Sequence, residues 1–242
     1  VTISEVLGDA LSVYRRLWRR SVVVAGLVFA VVSLADAFAA RRSTAATTLV
    51  SVVLALVGGL LVQGALVEVV RDLHEGREPA PVGTYYARTR DRLGTLLGAS
   101  LLYGIGVAVG FILLIVPGLI AVARWSLIVP LVVIERLGVG EAFSRSSRLV
   151  KGQTGRVLVL VIVANLITGV VAAAVQAAFG FLPTFGTIWV GGTIASAIAV
   201  PYEAHVLTVL YYKLTEPERP VLPEEPPRED RWRSVWDEEP PT

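Results

Sequence analysis

Cysteine and methionine are absent from all 242 residues, and histidine occurs only twice. Without a thiol the chain can form no disulfide, no thiolate nucleophile and no Cys-ligated zinc or iron–sulfur centre. The histidines, His74 and His205, come without an HExxH, a Walker A run, a GxSxG or a paired DxD. Zinc, phosphoryl-transfer and serine-hydrolase chemistry therefore lack their residues, and the expectation is a protein that is not an enzyme and takes no cofactor. Charge is scarce as well, at 17% of the chain. The cations are almost all arginine, Lys151 and Lys213 being the exceptions. That bias suits a GC-rich bacterial gene.

What fills the chain instead is apolar: 54% of the residues are hydrophobic and the mean hydropathy is +0.67, far from the average of soluble domains. Apolar runs cover about 21–39, 47–70, 95–134, 157–180 and 186–212, each near or above the ~20 residues that cross a ~30 Å hydrocarbon core. The third run would make a helix of roughly 60 Å, and Pro117-Gly118 near its middle is a helix-breaking pair. Divided into 95–116 and 118–134, it brings the number of spans to six. The fold class expected is all-α, an integral membrane bundle of six transmembrane helices.

The arginines and lysines test that number. Counted from the sequence, nineteen of the 22 fall before the first span, between spans two and three, between four and five, or after the sixth. Arg41 and Arg42 alone lie on the other side, and Arg124 is left inside a span. An odd number of spans would scramble this partition; an even one puts both termini in the cytoplasm by the positive-inside rule. The expected location is the bacterial cytoplasmic (inner) membrane. The same partition accounts for the basic segments, so nucleic acid is not an expected partner.

Residues 1–20 are amphipathic: Ile3, Val6, Leu7, Ala10, Leu11, Tyr14, Leu17 and Trp18 recur at helical spacing opposite Glu5, Asp9, Ser12, Arg15, Arg16 and Arg19. Thr2 and Glu5 form a capping-box pattern. A separate helix on the inner membrane surface is expected, its cations near anionic head groups. The alternative makes 21–39 a cleaved signal ending at Ala37-Phe38-Ala39. Similar basic amphipathic segments at 82–93 and 139–150 precede the third and fifth spans, so the chain reads as three units of interfacial helix plus hairpin. The spans form a domain over 21–214. The stretch 215–242 is rich in proline and mixed charge and is expected to be a disordered cytoplasmic tail, with Trp232 and Trp236 available to a protein partner or the interface.

Ionisable residues inside a bilayer are the first functional suspects. Arg124 lies ~16 Å and Glu203 ~14 Å above the cytoplasmic ends of their spans, counted along straight helices. Equal depth predicts an Arg124–Glu203 ion pair, with His205 as a further hydrogen-bonding member, serving either helix register or a polar ligand site. Pro201 beside Glu203 predicts a break or kink like that at Pro117 and Gly118. Asp36 and Glu68 read as interfacial charges, and Gly106 with Gly110 as a close helix approach.

The run Ile115-Val116-Pro117-Gly118-Leu119, then Arg124 to Leu127, Pro130 to Glu135, Glu141 to Ser146 and Arg148 to Gly152, resembles the glycerophosphoryl diester phosphodiesterase membrane-domain family and its uncharacterised bacterial relatives. The opening Ile3–Leu7 to Arg16 and the closing Pro201 to Leu214 are similar to that family as well. The resemblance implies a multi-spanning membrane domain of unestablished biochemical role. The phosphodiesterase behind the family's name is a separate soluble barrel with His, carboxylates and a metal, and no such segment exists here. Two functions follow as expectations: a non-enzymatic membrane scaffold contacting lipids and partner proteins, or a small permease or lipid transporter with its polar site at Arg124 and Glu203. A filled bundle favours the first and a polar cavity the second.

Overall fold

The computed structural model describes residues 2–216, and the expected tail lies outside them from residue 217 onward. The described chain is all-α. Its elements are α1 (Ile3–Arg42), α2 (Ala45–His74), α3 (Val82–Arg90), α4 (Leu93–Leu113), α5 (Ile115–Arg124), α6 (Ile128–Ile134), α7 (Val139–Val150), α8 (Thr154–Ala178), α9 (Thr184–Gly186) and α10 (Gly192–Thr215). A π-helical turn, Thr187–Gly191, joins the last two. Six segments are long and apolar enough to cross a membrane: α1, α2, α4, α5 with α6, α8, and α9 through α10. The protein is a multi-pass membrane bundle.

Helix ends follow local chemistry. Ser43 turns α1 off in the left-handed region (φ 46°), its N–H reaching Ala39 O at 2.8 Å. Thr44 then caps α2 by exchanging hydrogen bonds with Thr47. At the start of α7 the Glu141 carboxylate accepts the Gly138 N–H at 3.0 Å, satisfying a donor that no helical carbonyl reaches.

Two expected boundaries move. The amphipathic opening does not end at residue 20: α1 runs 40 residues without interruption. With no proline, and no glycine between Gly8 and Gly26, nothing in the stretch opposes helix propagation across that boundary. Its apolar stripe covers protein in part: Val6 and Ala10 are fully buried in the main core cluster together with Val13, whereas Leu11 and Trp18 are exposed. The second change concerns the 95–134 run. Its first break falls at Leu114, which is extended (φ −166°, ψ 153°). Pro117 and Gly118 lie just beyond it in the first turns of α5, where a missing N–H costs no helical hydrogen bond. A second break, at Trp125–Leu127, separates α5 from α6, and Pro130 stands in the first turn of α6 as Pro117 does in α5. Pro201, in contrast, breaks nothing and stays inside α10. The Tyr14 hydroxyl donates to Ile198 O at 3.0 Å, one turn before the proline.

The basic segments 82–93 and 139–150 are helical as expected, with Tyr85 and Thr89 of α3 and Ala142, Ser146 and Val150 of α7 buried. Glu68, read as an interfacial charge, does not face solvent. It is buried with Asp72, and Arg88 of α3 reaches Glu68 at 3.4 Å and Asp72 at 3.1 Å. Arg71 and Arg77 complete the network at 3.5 Å and 2.8 Å.

The helices pack in two groups. α1 lies against α2 and α10. On the other flank α4 packs on α5, and α5 on α8, so that α2, α4, α5, α8 and α10 follow one another around a space. α6 and α7 sit at the basic end of this ring, the end that carries the α2–α3 and α6–α7 connections.

Candidate functional site

The space inside the ring is a cavity of about 720 Å³. Its walls are largely aliphatic, from residues such as Leu60, Ile128, Val161 and Leu207. Into them are set Gln63 of α2, Ser100 and Tyr103 of α4, Trp125 and Ser126 of the α5–α6 break, Asn165 of α8 and Glu203 of α10. On four different helices these polar residues lie about two to three turns, or ~10–18 Å, from the basic end. For a ~30 Å hydrocarbon layer that began at the basic end, that depth would be near its middle. Ile162 and Leu166, both exposed, also line the cavity, so it reaches the bundle surface along α8.

The α5–α6 break creates one wall, and α7 holds the break in place. Breaking a helix in apolar surroundings frees a carbonyl and an N–H that water cannot satisfy. Ser146, wholly buried on α7, serves both: its hydroxyl donates to Arg124 O at 2.6 Å and accepts from Leu127 N at 3.3 Å. The Ser126 hydroxyl donates to Ala123 O at 2.9 Å. Trp125 is then held edge-to-face by Phe143 (5.0 Å between centroids) and Tyr103 (6.5 Å). It lies so close over Gly106 that a Cβ there would stand 2.5 Å from the ring. Gly110, the other member of the GxxxG, faces Gly118 of α5, whose Cα would be 2.9 Å from a Cβ at 110. The pair allows the α4–α5 hairpin to close.

The expected Arg124–Glu203 pair is not formed. Among the described residues Glu203 makes no ion pair, and Arg124 is exposed at the last position of α5. Equal depth holds only along straight helices. The break after Arg124 resets the rotational phase of the chain, so residues at matching heights face different ways. Glu203 is half-buried against the cavity, with the Asn165 amide within hydrogen-bonding reach of its carboxylate. The Asn165 amide also donates to Val161 O at 2.9 Å.

His205 does not join Glu203 either. Two residues along a helix is a rotation of roughly 200°, which turns His205 onto the opposite face of α10. There it is fully buried, its Nε2 2.9 Å from the Ser21 hydroxyl of α1. Asp36 near the far end of α1 accepts a hydrogen bond from Ser51 of α2. Of the expected site residues, only Glu203 lines the cavity. Gln63, Ser100, Ser126 and Asn165 escape a reading of the sequence because they are uncharged. Their one signal is an amide or hydroxyl in the middle of an otherwise apolar run.

Among the described residues no three His, Asp or Glu side chains gather as a metal site would require. The fold and site thus define an all-α multi-pass membrane protein with an internal, mainly apolar cavity carrying a single carboxylate. Comparison of the chain with protein-family models, with curated proteins and with solved structures finds no match.

Proposed function

We propose that this protein is a small permease or carrier of the bacterial inner membrane, binding an amphipathic small molecule or lipid in the cavity at Glu203. The cavity is the observation that carries this reading. Its size falls within the ~300–1,000 Å³ of small-molecule sites, and an apolar lining with a few convergent polar groups is their usual chemistry. A discontinuous helix bordering a site near the membrane middle is also a recurring feature of transporters. A scaffold needs no such chamber, and the tail that would favour a scaffold lies outside the described residues. The likeness of the 115–152 run to the glycerophosphoryl diester phosphodiesterase membrane-domain family belongs to the same proposal and leaves the substrate open.

The test is to purify the protein in a native-like membrane mimic and identify co-purifying small molecules and lipids by mass spectrometry, beside a Ser126→Trp variant whose indole projects into the cavity and narrows it. A species held by the wild type and depleted in the variant is expected. Equal retention by both would remove the cavity as the binding site. The proposed orientation places the basic end, and hence the α2–α3 and α6–α7 connections, in the cytoplasm. Reporters inserted between α2 and α3 and fused after Leu214 should read cytoplasm, and one at 43–48 the exterior; an exterior signal from the fusion after Leu214 would refute the orientation.

A further inference from the structure

We infer that the cavity selects an organic cation, an amine or quaternary ammonium or phosphonium centre on an apolar body, with Glu203 as its counter-charge. The inference deepens the carrier reading and rests on it.

The charge of the lining decides the sign of the ligand. Glu203 is the only carboxylate among the lining residues, and none of them is Lys, Arg or His. Arg124, one position from the lining residue Trp125, is exposed and makes no ion pair with Glu203. The side chain in reach of the carboxylate is the neutral amide of Asn165. A carboxylate in low-dielectric surroundings needs its charge compensated. Here no side chain supplies that compensation, which leaves a proton in the empty site and a cationic ligand in the occupied one. An anion would meet Glu203 with no opposing cation, a like-charge contact that low dielectric makes strongly unfavourable.

The remaining walls set the body of the ligand. Aromatic residues attract cations through the ring quadrupole, and Trp125 and Tyr103 stand together in the wall, with Trp125 fixed by Phe143 and Gly106. Most of the other surface is aliphatic. That surface offers no oxygen ligands to replace the hydration shell of a small inorganic ion. A cation whose charge is delocalised or shielded by carbon is weakly hydrated and loses little on entering. Access along α8, past Ile162 and Leu166, suits a molecule already dissolved in lipid.

The experiment compares tetraphenylphosphonium with tetraphenylborate, ions of nearly the same size and shape and opposite charge. Binding of each to the full chain in lipid nanodiscs is measured by equilibrium dialysis, with empty nanodiscs subtracted for partition into lipid. The wild type is expected to bind the phosphonium at least about tenfold more tightly than the borate, the size of one charge-assisted contact. Glu203→Gln should abolish that preference and Glu203→Asp should keep it. Ser126→Trp, which narrows the cavity, should weaken phosphonium binding. Equal binding of the two ions, or a preference that survives Glu203→Gln, overturns the cation inference, and the opposite-charge comparison on the wild type needs no variant to fold. If both ions bind equally and both are weakened in Ser126→Trp, the cavity is a binding chamber without charge selection. If Ser126→Trp changes neither, the carrier reading fails together with the inference.

Discussion

The two flanks of the bundle are built differently. Where α1 meets α2 and α10, polar side chains cross from helix to helix. Ser21 meets His205, Tyr14 reaches Ile198 O, Trp189 Nε1 donates to Ala30 O at 3.2 Å, and Lys213 binds Glu5 and Asp9 at 2.5 Å and 2.7 Å. On the α4–α5–α8 flank the polar side chains face the cavity, and helix contact relies on small residues such as Gly106, Gly110 and Gly118. In lipid the hydrophobic effect does not pull helices together, so hydrogen bonds and close packing must. The flank that has both forms a frame. The flank that leans on α5 and Ser146 encloses the chamber.

The sharpest way to break this contrast is at the buried carboxylates that tie α3 to the frame. Arg88→Leu would strip Glu68 and Asp72 of a shared partner. Removing one partner of a fully buried pair costs ~3–5 kcal/mol. Arg88 is about a third exposed (35%), and Arg71 and Arg77 remain, so the expected loss is about 2–3 kcal/mol. It should show as the largest drop in melting temperature in detergent. An unchanged melting temperature would mean that the network does not hold the frame.

On the cavity flank, Gly110→Val would drive a side chain into the backbone of α5 at Gly118. Overpacking of this kind costs ~1–3 kcal/mol. The variant should also widen the α4–α5 hairpin, which a spin-label distance between the two helices would read. A stable variant with the wild-type distance would show that the hairpin does not depend on this approach.

The smallest effects make the most direct comparison. Ser21→Ala would leave buried His205 without its Nε2 partner, at a cost of ~1–2 kcal/mol. Asn165→Leu, on an exposed position of the cavity flank, should change stability by less than ~0.5 kcal/mol. If thermal melts give the two substitutions equal costs, the distinction between frame and chamber disappears.

Much of this architecture is legible in the order of the residues. Hydropathy and the arginine partition point to six spans, and all six are present as long apolar helical segments. Helical spacing locates α3 and α7 to within a few residues. Both signals are sums over neighbouring residues, and such sums do not depend on how the helices pack. The break at Trp125–Leu127 has a local contributor in Pro130, which has no N–H for Ser126 O and crowds that carbonyl, but what makes the break tolerable is not local. Ser146, on a different helix, receives the carbonyl and N–H that the break releases.

The sequence by itself determined that this chain is a helical membrane bundle, how many apolar spans it has, and which end is basic, because each follows from the residues' preference for lipid, water or helix. Only the tertiary structure decided which intramembrane polar groups meet. Arg124 and Glu203, matched in depth along straight helices, form no pair; Glu203 lies beside Asn165 at the cavity, and His205 turns away to Ser21. Depth along a span can be counted from residue number. Direction depends on the rotational phase of each helix, and one break in α5–α6 is enough to change it.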